Sequence, residues 1–68
     1  MSKSRLAKIR IAEGWSSNEL AGAARISAVT LKRAEEDKVV REYIWGKILQ
    51  GINSLNPKKA YKMSDIRP

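Results

Sequence analysis

Apolar residues recur along most of this chain at intervals of three and four, and they never alternate for long enough to suggest a strand. Leu6 and Ile9 lead to Gly14. Leu20, Ala21 and Ala24 lead to a short turn, Leu31 and Ala34 to a polar run, and Ile44, Ile48, Ile52 and Leu55 to Pro57. Such spacing places each set on one face of a helix. The pattern predicts an all-α chain. The first helix covers residues 4–13, with Leu6 and Ile9 inward and Lys3, Lys8 and Arg10 mostly outward; Gly14 stops it. Ser16-Ser17-Asn18-Glu19 has the form of a capping box, in which the Ser16 hydroxyl and the Glu19 carboxylate each accept from the other residue's backbone N–H. It opens a second helix over 17–24. Ser27 caps a third over 28–35, and a fourth fits 41–55. Gly46 and Gly51 inside that fourth helix mark either close packing or a weak point. Both prolines fall within the last twelve residues. Residues 56–68 show no strong period and read as an extended or loosely ordered tail.

The second and third predicted helices are joined by only Arg25-Ile26-Ser27, which makes a helix-turn-helix. Leu20, Ala24, Ile26, Leu31 and Ala34 form its expected buried seam, and Ala21 supplies the small residue where the helices cross. On the opposite side of the third helix, Ala28, Val29, Lys32 and Arg33 share a stripe.

Composition narrows the chemistry. The 68 residues carry 14 Lys and Arg against 7 Asp and Glu, with neither His nor Cys, for a net charge of +7. No disulfide, thiolate metal site, thiol nucleophile or imidazole base is available, and a chain this short shelters no large pocket. An enzyme is not expected, and no cofactor or small-molecule ligand is implied. The positive surplus, concentrated at both ends, favours a polyanion. Neither a signal peptide nor a membrane span is apparent, which predicts a cytoplasmic protein with no membrane partner.

On these residues the chain resembles the Cro/XRE-type helix-turn-helix family of lambdoid phage repressors and their bacterial relatives. The matching landmarks are Leu6, Ile9, Arg10, Gly14-Trp15-Ser16, Glu19-Leu20-Ala21, Ile26-Ser27, Leu31 and Glu35. The likeness spans residues 6–55, about three quarters of the chain. It implies a compact lambda-repressor-like bundle of four to five helices, with residues 1–55 as a DNA-binding domain and 56–68 as a basic tail. It also implies a bacterial or phage-encoded regulator, most simply a repressor, that binds double-stranded DNA as a homodimer on two half-sites. By the family's docking, Ala28, Val29, Lys32 and Arg33 face the bases. Arg33 suits guanine O6 and N7, and the two apolar residues suit thymine methyl groups. Ser17 and Asn18 match backbone-contacting positions, with simple capping as the alternative, and Lys38 and Arg41 border the next loop within reach of phosphates. Arg10 and Glu35 match the family's internal ion pair, with a phosphate contact from Arg10 as the alternative.

Some positions depart from the family pattern. Arg25 stands where the family usually has Gly, so a left-handed backbone there would cost roughly 1 kcal/mol. Trp15 replaces a usual Leu and is most simply core. Glu36-Asp37 follows Glu35 where Asn-Gly is common, adding negative charge beside the reading helix. Tyr43, Trp45 and Leu49 lie off the inward row of the fourth helix, so either that helix is buried on two sides or one side meets another subunit. Two other roles suit the same scaffold: an antitoxin or mobile-element control protein, or a protein-interaction adaptor that reads no bases, for which Ala28, Val29, Glu36 and Asp37 speak.

Overall fold

In a computed structural model that describes residues 4–36 and 38–67, each local signal in the first half of the chain is met by a hydrogen bond. Ser4 caps α1 (Arg5–Glu13) through the Ala7 N–H, and Gly14 closes it at φ 79°, a conformation glycine adopts without a Cβ clash. Ser16 and Glu19 complete their reciprocal box at 3.0 and 3.1 Å and open α2 (Ser17–Ala24). Ser27 accepts from the Thr30 N–H at 3.1 Å and opens α3 (Ala28–Glu35). Longer and more apolar, α4 (Glu42–Leu55) begins after Arg41, which makes no side-chain cap. The all-α bundle is completed by α5 (Met63–Ile66), a single turn.

Leu6, Leu20, Leu31, Ile48, Ile52 and Ile66 are fully enclosed, so every helix contributes to one core. Ile44 and Trp45 join it from α4, and Ile9, Trp15 and Ile26 pack partly against it. The α2–α4 crossing is the tightest contact. A Cβ built on Gly51 would stand 2.7 Å from the Ala24 backbone nitrogen, whereas one on Gly46 would meet nothing within 4 Å. Close packing therefore explains Gly51 and not Gly46.

The end of the chain departs from the expected loose tail. Residues 56–67 fold back across α1 and α4 and deliver Ile66 to the core with no exposed surface. Asn53 clasps Tyr61 in both directions, its Oδ1 accepting from the Tyr61 N–H at 2.7 Å and its Nδ2 donating to the Tyr61 carbonyl at 3.0 Å. Arg67 donates twice to the Glu42 carboxylate, at 2.7 and 2.9 Å, and lies 5.6 Å from the centre of the Trp45 ring. These contacts also explain Trp45, which is buried by its own chain. The radius of gyration is 10.5 Å, close to the roughly 11 Å of a fully folded chain of this length. Leu55, expected inward, is exposed, because α4 ends there and the core has already passed beneath Ile52. Among the described residues no helix is long and apolar enough to cross a membrane. Lys3 and Asp37 lie outside the described residues.

Candidate nucleic-acid interface

The turn between α2 and α3 is set by backbone geometry at one residue. Arg25 closes α2 at φ 58° and ψ 44°, the left-handed conformation, and the Ile26 N–H returns to the Ala21 carbonyl at 3.0 Å. Ile26 thereby reaches the core while Ser27 starts the next helix. Leu31 and Ala34 anchor the inner side of α3 with no exposed surface.

A second lock fixes α3 against α1. The Arg10 guanidinium donates to both oxygens of Glu35, at 2.8 and 3.1 Å, and to the Trp15 carbonyl at 3.1 Å. Both side chains are mostly shielded, at 19% and 11% exposure. With the carboxylate engaged on both oxygens, Arg10 is committed to holding the fold together.

What α3 offers to solvent follows from helix geometry. At about 100° per residue, Val29 lies almost opposite the midpoint of Leu31 and Ala34, with Lys32 about 60° to one side of it and Arg33 about 40° to the other. Val29 is 66% exposed, and Lys32 and Arg33 are exposed beside it. Ala28 does not share this position. It is half-buried against the core, because it lies about 90° around the helix from the midpoint of Leu31 and Ala34, at the edge of the buried side. Glu36 falls on the same outer line as Val29 and pairs with Lys38 at 3.5 Å.

The other predicted positions separate into two groups. Ser17 and Asn18 are exposed at the start of α2, where Ser16 already does the capping; no hydrogen bond among the described residues engages either side chain. Arg33 and Arg41 are brought together. Both line a cleft of about 340 Å³ between α3 and α4, with Thr30, Val39, Val40, Tyr43 and Ile44. Lys38 is exposed just before that cleft, its N–H bonded to the Arg33 carbonyl at 3.0 Å.

Thr30, Val39 and Tyr43 are absent from the predicted set. Val39 is 98% exposed and Tyr43 58%, with the Lys47 ammonium 5.6 Å from the Tyr43 ring centre. The available signal was a valine pair running directly into Arg41, with Tyr43 off the inward row of its helix. Two arginines, a hydroxyl, a phenol and an open helix start can together hold a phosphate and its sugar. No protein-family model matches this chain, and comparisons with curated proteins and with solved structures return no match.

Proposed function

We propose that the chain is a double-stranded-DNA-binding transcriptional regulator of the Cro/XRE type, acting as a repressor and lying with α3 in the major groove. The observation that carries this reading is the α2–turn–α3 unit. Its inner side is locked by Leu31, Ala34 and the Arg10–Glu35 pair, and its outer side presents Val29 between Lys32 and Arg33. A rigid helix with a free, cationic outer stripe has the shape and charge to enter a groove of B-DNA. Arg33 reads guanine, and Val29 packs on thymine methyls. Arg41, Lys38, Ser17 and Asn18 hold phosphates, and two copies sit on half-sites about one helical turn apart. Function rests on binding and requires no cofactor.

Arg33→Ala tests the assignment. A bidentate guanine contact discriminates by about 1–3 kcal/mol, so the ratio of specific to random duplex affinity should fall about ten-fold. An unchanged ratio would remove Arg33 from the set of base readers. The exposure of Val29 and the nearby Glu36 carboxylate favour one second reading, an adaptor whose α3 face meets a protein. That reading predicts no duplex binding that weakens steeply with salt.

A further inference from the structure

On the flank of α1 away from α3, the returning segment encloses a second basic surface. Arg10 carries the contact of α1 with Glu35 in α3, whereas Arg5, about 140° away around the helix, donates to the Ser64 carbonyl at 3.1 Å. Beside Arg5 an open cleft of about 480 Å³ is lined by Arg5, Lys8, Ile9, Lys59, Tyr61 and Asp65. Lys58 and Lys62 are exposed on the same returning segment.

Of the two carboxylates near this cleft, Glu13 is engaged by side chains and, among the described residues, Asp65 by a backbone N–H alone. Glu13 accepts from Asn56 at 2.6 Å and from the Tyr61 hydroxyl at 3.3 Å, and it pairs with Lys59 at 3.4 Å. Asp65 accepts from the Lys62 N–H at 2.8 Å. Lys8 has no carboxylate within salt-bridge distance among the described residues. Arg5 spends one donor on Ser64 and keeps the rest of its fork for other acceptors. The lining thus sets Arg5, Lys8 and Lys59 against Asp65, a positive surplus, over a floor of the partly buried Ile9 and the Tyr61 ring.

We infer that this cleft takes the phosphate backbone of a second nucleic-acid segment, so that one chain bridges two duplexes. The inference rests on the proposed DNA binding through α3. Guanidinium and ammonium groups on the rim match phosphates, and the floor matches the sugars between them. The cleft is open and charged at its rim, which suits a phosphate chain better than the enclosed aromatic or aliphatic anchor that gives protein partners most of their affinity. None of its lining residues belongs to α3 or to Ser17, Asn18, Lys38 and Arg41.

The test mixes the full chain with two duplexes of unrelated sequence, one carrying a donor dye and the other an acceptor. Energy transfer should appear on adding protein. The double variant Lys8→Gln and Lys59→Gln removes two exposed charges that line the cleft and no core contact. It should lower transfer about ten-fold while leaving single-duplex affinity within about three-fold. Transfer that survives the double variant overturns the inference and points to a dimer presenting two α3 helices. A wild-type chain that binds one duplex and never two overturns it with DNA recognition intact. Absence of any duplex binding overturns both readings, and the Arg33→Ala affinity ratio judges base recognition independently of Lys8 and Lys59.

Discussion

Between Ser16 and Glu36, caps and turns join residues three to five apart: Ser16 with Glu19, Ile26 with Ala21, Ser27 with Thr30. The return formed by residues 56–67 is held the other way. Besides the shorter bonds of Tyr61 with Asn53 and of Lys62 with Asp65, its polar contacts reach back 43 residues from Asn56 to Glu13, 48 from Tyr61 to Glu13 and 59 from Ser64 to Arg5. One region assembles largely from its own neighbours, while the other docks only onto an α1 and α4 already in place. The α2–α3 unit should therefore be the last part to open and the return the first, an order that native-state hydrogen exchange resolves.

The largest effect is expected where the local unit is tied to the rest. Arg10→Met leaves Glu35 without its partner in a shielded site, which costs about 3 kcal/mol. In a domain of this size that lowers the melting temperature by more than about 10 °C. DNA affinity of the folded fraction should change less than stability does. A variant that melts normally and loses DNA binding would recast Arg10 as a phosphate contact.

Ile66→Ala addresses the other region. Removing a fully enclosed side chain costs about 2 kcal/mol. Exchange should quicken at the Arg67 amide, bonded to the Met63 carbonyl, and much less at Leu31 in α3. Equal acceleration at both sites would mean that the two regions unfold as one.

Smaller effects sharpen the contrast. Arg25→Gly relieves a left-handed non-glycine residue and should stabilise the chain by about 1 kcal/mol. A lower melting temperature would contradict that. Acidification should act on the return. The Asn56 amide donor, helped by Lys59 and Tyr61, holds the Glu13 carboxyl below the usual carboxylate range, and the Arg67 guanidinium does the same for Glu42. Both groups bind protons more weakly in the folded chain than in the unfolded one. Their contribution is therefore full above the ordinary value near 4.5 and is lost as pH falls through the lower folded values. Exchange at Arg67 should rise between pH 6 and pH 3 relative to Leu31, and Glu42→Gln should flatten part of that rise.

The same contrast explains what could be read in advance. Gly14, the Ser16–Glu19 box and Ser27 announce helix ends because each cap acts within three or four residues. Leu31 and Ala34 follow from helical period alone. Arg10 with Glu35 came from family likeness, since a separation of 25 residues carries no local signal. Nothing adjacent in sequence links Tyr61 to Asn53 and Glu13, or Arg67 to Glu42, so the return looked unstructured. At the candidate interface, the exposure of the α3 stripe was legible except at Ala28, whose angular position at the edge of the buried side packs it partly against the core. The cleft that joins Arg33 to Arg41 was not legible, because it depends on how α4 leaves the loop.

The most direct measurement is selection of bound duplexes from a random DNA pool at near-physiological salt. Recognition through α3 predicts recovery of an inverted repeat whose half-sites pair guanine, for Arg33, with thymine, for Val29. Recovery of duplexes with no shared sequence, or of none at all, would contradict it.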